Sequence, residues 1–391
     1  FPSCSEKPAM PRPQCFSVTI IAVVFLACKP LGAAAPATPA ATSAAKERQQ
    51  LAAVLASDRP DAEKLSACKR LALIGNADSV PALAPLLSDA ELSHAARLGL
   101  EAIPDPAAAE ALRGGLTQVQ GDLLVGVLNS IGARRDRQAV AGLGRLLGDK
   151  APAIASAAAA ALGKIAGPEA AHLMTEALAT TAPAVRPAIA RASLACAQTL
   201  EREGDRARAL ALYDHLRQAN LPAPLLTAAT RGAILARREE GIALLVAELG
   251  AEEDARFAAA LGTSRELSAS GVTEALAGRL TGLPPARQAL LIAVLGDRGD
   301  AAARPGVLRA AASSAPAVRI AAIRALSTLG NASHLTLLLD AAAQSDAEVA
   351  AAARTTLVEL TDPQVDAAVA EMLGTAAGTT QRILVELAGR D

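Results

Sequence analysis

The chain has 391 residues, 38 basic against 39 acidic side chains, and a composition that is 52% hydrophobic but 1% aromatic. A near-neutral chain so poor in aromatics lacks the basic field and the stacking platforms that nucleic-acid binding requires. Its apolar surface comes from alanine and leucine, which favour close-packed helices over sheets, and its length fits a repeat array without a single core as well as it fits two or three domains.

Residues 1–36 read as upstream residues followed by an export signal. Phe1 to Ala9 precede Met10, the expected start, and Arg12 supplies a weak positive region. The apolar run Val18 to Cys28 is too short to cross a bilayer, and Gly32-Ala33-Ala34-Ala35-Pro36-Ala37 offers cleavage sites. The mature chain is therefore expected to begin near residue 35 to 38 and to reside in the periplasm or cell envelope. Phe25-Leu26-Ala27-Cys28 also fits an imperfect lipobox, with Phe25 where leucine is usual, which makes Cys28 a candidate lipidation site. Membrane contact is expected only through the signal or such an anchor. Export removes Lys7, Arg12, Lys29 and Glu6, leaving 35 basic and 38 acidic side chains and a net charge of −3.

Of five cysteines, Cys4, Cys15 and Cys28 lie in or before the signal. Cys68 and Cys196 fall four repeats apart, beyond the roughly 7 Å Cα separation a disulfide tolerates. They read as small buried hydrophobes.

Residues 37–45, ATPAATSAA, are expected to form a linker, and helices begin at Lys46. The clearest unit is Ala315 to Leu339. Val318, Ala321, Ala322, Ala325, Leu326 and Leu329 share one stripe of a helix, with Ser314 a candidate cap, Pro316 in the first turn and Gly330 expected to close the helix in the left-handed region. Leu335, Leu338, Leu339 and Ala342 repeat the spacing, so a second helix folds back as an αα-hairpin. Aligned second-helix positions Leu83, Leu112, Leu143, Leu173, Leu210, Leu244, Leu276, Leu308, Leu338 and Val369 are separated by 29, 31, 30, 37, 34, 32, 32, 30 and 31 residues. A period this steady predicts an all-α fold, an α-solenoid: an armadillo-type superhelix of about ten stacked hairpins over residues 46–391. First helices are expected to end at Gly75, Gly132, Gly296 and Gly330, with Pro104 replacing the glycine in the second unit and residues 380–390 forming a closing helix.

Ala317-Val318-Arg319, Ala321-Ala322, Ala325-Leu326 and Leu329-Gly330 resemble the short bacterial HEAT repeat, the type also called phycobilisome-lyase-like, over roughly residues 62–375. That family typically carries an Asp before the Val-Arg pair, part of a polar ladder between repeats. Ala184 and Ala317 stand there, so the resemblance implies a weakened ladder and stacking by apolar packing. Residues 200–216, within 188–240, are similar to a tetratricopeptide unit through Gly204-Asp205, Ala209-Leu210, Tyr213 and Leu216, and suggest a hinge or docking zone; the plainer alternative is a repeat with a longer turn.

No motif for nucleotide, haem or nucleophilic chemistry occurs, and Gly142-Leu143-Gly144 lies in a helical pattern without a preceding strand. His94, His172, His215 and His334 fall in separate repeats without a second histidine or a cysteine at i+3 or i+4, so no metal and no cofactor is expected. Arg298-Gly299-Asp300 reads as an interhelical turn, Arg134-Arg135-Asp136-Arg137 as a solvated loop, and Asn331-Ala332-Ser333 as a sequon that matters only where exported proteins are glycosylated.

The expected function is a non-enzymatic scaffold that binds unidentified protein partners along a concave second-helix surface. Candidate residues there are His172, Glu176, Arg208, Tyr213, Glu274, Arg279, His334 and Asp340. The alternatives are an accessory enzyme or chaperone like the phycobilin lyases, which the export signal and sparse aromatics disfavour, or the interaction portion of a longer exported enzyme.

Overall fold

The computed structural model describes residues 39–389. The chain divides at Lys46 into two compact units. In the first, the described residues belong to helix α1 (Pro39–Leu55), so residues 39–45 are helical where a linker was expected. Alanines and good helix formers dominate this stretch, and their propensity outweighs its linker-like look. The export signal and Cys28 lie outside the described residues.

The second unit is all-α, with no strand among the described residues. Ten hairpins follow one another: α2 (Asp61–Ile74) with α3 (Val80–Leu83), α4 (Ser93–Ala102) with α5 (Pro106–Gln118), α6 (Gly121–Arg134) with α7 (Val140–Leu146), α8 (Pro152–Ile165) with α9 (Pro168–Thr180), and α10 (Arg186–Arg202) with α11 (Arg206–Gln218). Then come α12 (Ala223–Arg237) with α13 (Gly241–Leu249), α14 (Asp254–Thr263) with α15 (Val272–Arg279), α16 (Pro285–Arg298) with α17 (Arg304–Ala311), α18 (Pro316–Leu329) with α19 (Leu335–Ala342), and α20 (Ala347–Glu359) with α21 (Val365–Leu373). Helix α22 (Gly378–Ala388) follows the last hairpin. Every aligned position from Leu83 to Val369 lies on a second helix, and the unit is an α-solenoid.

The long step from Leu173 to Leu210 lies in helix rather than in a longer turn. Helix α10 runs 17 residues, and only Glu203, Gly204 and Asp205 separate it from α11. Cys68 in α2 and Cys196 in α10 are free and buried, as small hydrophobes would be, and burial pushes both thiols up to about 11.

Consecutive first helices pack on each other more extensively than consecutive second helices do. Small residues make this possible. A Cβ on Gly163 in α8 would lie 2.7 Å from the Ala192 carbonyl oxygen in α10, and one on Gly132 in α6 would lie 2.8 Å from the Ala161 Cα in α8. Gly132 and Gly296 are therefore inside their helices, not at the ends as expected; α6 ends at Arg135 (φ 52°) and α16 at Gly299 (φ 63°). Gly330 does end α18 but in extended backbone (φ −75°, ψ 172°) rather than left-handed, and it is small because a Cβ would meet Leu326 O at 2.4 Å. Ser314 does not cap that helix, whose N-cap is Ala315.

Arginine supplies the ties between layers. The Arg134 guanidinium donates from Nη1 to the carbonyls of Leu100 (2.7 Å), Glu101 (2.9 Å) and Ile103 (2.5 Å), the carbonyl end of α4. Arg298 repeats this two hairpins from the chain's end, donating to Ser264 (2.7 Å) and Leu267 (3.1 Å) beyond α14, at the same sequence offsets of 34 and 31. Arg206 serves Ala236 and Arg237 at the end of α12, and Arg304 serves Leu329 at the end of α18 (2.5 Å). Helix C-termini leave carbonyls without intrahelical partners and carry partial negative charge, so a guanidinium satisfies both needs. Within the Arg134 cluster, Arg134 is thus tied into the frame and Asp136 pairs with Arg113, while Arg135 and Arg137 are exposed as a solvated loop would leave them; Arg298-Gly299-Asp300 is the expected turn, with Asp300 accepting from Ala302 N (3.0 Å).

Nor is the ladder simply weakened. Arg319 of the Val-Arg pair reaches Asp346 of the next hairpin (3.3 Å), and Asp346 also caps α20 by accepting from Glu348 N and Val349 N.

Gly163→Ala should destabilise the protein by about 1–3 kcal/mol, because the new methyl forces α8 and α10 apart. Gly278→Ala, on α15 with open space around it, should instead stabilise by up to ~1 kcal/mol through helix propensity. Thermal unfolding of both variants reads these opposite signs.

Candidate interaction surface

The two faces of the stack differ in what they leave exposed. The large apolar side chains most exposed among the described residues are Leu73 (79%), Leu98 (41%), Leu290 (51%), Val358 (56%) and Val385 (58%). The first four lie on first helices α2, α4, α16 and α20, the last on α22, and none on a second helix. A groove of about 970 Å³ crosses α16, α18 and α20, with Leu290, Ile320 and several alanines in its lining and Asp297, Arg324 and Glu348 among its polar groups. Clefts on the second-helix side are smaller: about 340 Å³ around His215 and Arg186, and about 430 Å³ around Glu176 and Leu173.

The eight expected site residues do not converge. His172 and Glu176 are neighbours on exposed α9, Nε2 to Oε1 3.4 Å. Arg208 pairs with Asp205 at the start of its own helix, and Arg279 donates to Thr281 O (3.3 Å). Glu274 and Asp340 are exposed on α15 and α19, in separate layers. Tyr213 is not a surface residue: it is 2% exposed, its ring presses on Gly232 of α12, and its hydroxyl reaches Glu201 Oε2 at 3.4 Å. Burial, aided by Glu201, pushes its phenol up to about 12. His334 is occupied in a turn, where Nδ1 accepts from Asn331 N (3.1 Å) in a capping box.

Sequence periodicity missed Leu290, Ile320 and Arg324, because first helices were read only for their buried stripe. The signal was present in α18. Ile320 stands off that stripe, half-buried, where a polar residue would ordinarily be, and Ala321 is half-buried while Ile323 joins the core.

A second unforeseen feature lies in the middle of the stack. The buried core consists of two clusters, one from Leu55 to Ala236 and one from Ile234 to Leu387, which part company at α12. Leu244 packs against both, and a group of charged side chains lies alongside. Glu248 on α13, 1% exposed, accepts from Arg217 of α11 (2.6 Å) and from Arg256 of α14 (2.8 and 3.0 Å). Arg217 also meets Asp214 (3.3 Å), which Arg237 of α12 approaches at 2.5 Å. Arg238, between α12 and α13, takes φ 56° and ψ −122°, backbone that residues with side chains seldom adopt. Burial alone would raise the Glu248 carboxyl, but the hydrogen bonds from Arg256 and Arg217 outweigh it and hold the pKa below the ordinary value.

The family model for HEAT repeats matches residues 121–195 and 273–358. Between the two matches lie residues 196–272, which contain the charged junction. No curated protein matches the chain in sequence. Among solved structures, a crystal structure of a Kap121p mutant is 13% identical, covering 92% of this chain and 45% of that one with a TM-score of 0.50. Kap95p, from a structure with RanGDP, is 14% identical over 88% of this chain and 55% of its own, TM-score 0.48. Human deoxyhypusine hydroxylase with glycerol is 18% identical over 65% and 96%, TM-score 0.30. The likeness to the Kap121p mutant shows the fold alone; the other two are too distant to support an argument. The chain spans about half the length of the karyopherins it resembles.

Because the folded-state pKa of Glu248 is depressed, its contribution to stability is present above the ordinary glutamate value of 4.5 and is lost as pH falls below it. Glu248→Gln should cost about 3 kcal/mol at neutral pH by leaving two guanidinium groups short of charge. Denaturant unfolding from pH 7 to pH 3 should show this gap between wild type and variant closing as acid is added.

Proposed function

We propose that the protein is a non-enzymatic scaffold that binds protein partners on the exposed face of its first helices. One observation carries this reading: the large exposed apolar side chains of the hairpins are confined to first helices, whereas on the second helices the expected residues are partly occupied in turns, caps and core. Leu73, Leu98, Leu290 and Val358 are spread over the first, second, eighth and tenth hairpins, and the continuous apolar surface that supports the reading is the groove across α16, α18 and α20, which Leu290 and Ile320 line. Export is part of the proposal and rests on the sequence pattern of residues 10–37: a short apolar run followed by small residues. The same holds for a lipid anchor at Cys28. The repeat belongs, on this reading, to the short bacterial, phycobilisome-lyase-like type, and α10–α11 is its tetratricopeptide-like unit, whose long first helix and Gly204-Asp205 turn support that likeness. Within the unit, Tyr213 serves as a packing residue.

Affinity purification of the tagged mature chain from the envelope of its own cells, with mass spectrometry and an absorbance scan, tests the proposal. A stoichiometric protein partner without a chromophore is the expected result. A co-purifying pigment, or a partner chemically modified only when this protein is present, would replace the scaffold with an accessory enzyme.

A further inference from the structure

We infer that the solenoid consists of two stiff arms that bend where α14 meets α16, and that arginine ties rather than close helix packing hold this joint closed.

Consecutive first helices share long contacts along α6, α8 and α10, and again along α16, α18 and α20. Both stretches fall largely within the segments that match the HEAT-repeat family, whereas α12 and α14 lie between those segments. There the packing thins. Helices α10 and α12 meet less than any of those pairs, and α14 and α16 meet least of all consecutive first helices.

Polar groups take over at this joint. Arg287 of α16 donates to the carbonyls of Ala251 (2.5 Å) and Glu252 (2.7 Å) beyond the end of α13 and pairs with Asp254 at the start of α14 (2.8 Å). Its guanidinium also lies over the Phe257 ring of α14, 4.6 Å from the centroid. Arg265, just past α14, pairs with Asp297 of α16, Nη2 to Oδ2 2.9 Å, and Arg298 takes the Ser264 and Leu267 carbonyls. A close-packed apolar interface resists sliding, whereas a guanidinium carries five donors and can exchange one oxygen acceptor for another as two helices part. Segments with few buried apolar contacts are also those that open locally. The pivot is α15. The C-terminal core cluster runs through Leu276 and Leu280 to Leu291 and Ile292, so the arms stay joined on the second-helix side and part on the first-helix side.

Hydrogen exchange read by mass spectrometry on the full chain should show the backbone amides of α14 exchanging at least tenfold faster than those of α8 and α18, which lie inside the arms. Small-angle X-ray scattering should give Arg287→Ala a longer maximum dimension than wild type. Arg319→Ala, which removes a comparable tie where α18 and α20 pack closely, should leave that dimension unchanged. Circular dichroism checks that the variants fold; should Arg287→Ala not fold, Arg265→Ala, whose pair with Asp297 is exposed, takes its place. Protection of α14 equal to that of α8 and α18, a shape unaltered by loss of the joint's arginine, or the same change of shape in Arg319→Ala would each overturn the inference. Neither measurement involves a partner, so the scaffold reading stands or falls separately.

Discussion

A hairpin of two amphipathic helices can bury only the side that faces its mate, and everything else in this protein follows from the need to cover the remainder with the next hairpin. Stacking must bring first helix onto first helix at close range. Alanine and glycine allow that approach: Gly163 against Ala192, Gly132 against Ala161 and Gly296 against Ala325 leave no room for even a methyl group at standard distance. Near absence of aromatics is the compositional trace of the same constraint.

Close stacking has a polar consequence. Helix C-termini leave carbonyls that the helix itself cannot satisfy, and an adjacent layer, following or preceding, lies near enough to answer them. Arg134 and Arg298 do so from the end of the following first helix, Arg206 and Arg304 from the start of a second helix. Charges that look superficial in the sequence are thereby drawn into the frame. Around α12 and α13, where Leu244 packs against both halves of the core, Glu248 with its two arginines adds a charged tie between α11 and α14. The first helices, by contrast, keep Leu73, Leu98, Leu290 and Val358 in the open.

How much of this could be read beforehand divides along physical lines. The period of about thirty residues is imposed by the hairpin itself, and Leu83 through Val369 all proved to be second-helix residues. Local reasoning was weaker where a contact from another layer decides the outcome. Gly330 was read as a left-handed cap, whereas the crowding of Leu326 and Leu360 keeps it small. Ala317 was read as a gap in the ladder, although the acid that matters is Asp346, one hairpin on. Tyr213 and His334 were legible as polar residues on helical phases, but not as a core ring and a turn cap. Glu248 sits in an apolar helix, GIALLVAEL, and only Arg217 on α11 and Arg256 on α14 reveal why a charge is tolerated there. The preference for second helices as the working face came from the general logic of solenoids, and nothing in a single repeat tells which face will carry the exposed leucines.

Which face meets the partner is decided most directly by a comparison of two surface variants. One would carry Leu98→Glu, Leu290→Glu and Arg324→Glu on first helices, the other His172→Ala, Glu274→Lys and Asp340→Lys on second helices, with quantitative recovery of native partners as the readout. Loss of partners in the first variant and retention in the second is the predicted result. Retention in the first with loss in the second would contradict it and return the binding site to the second-helix face.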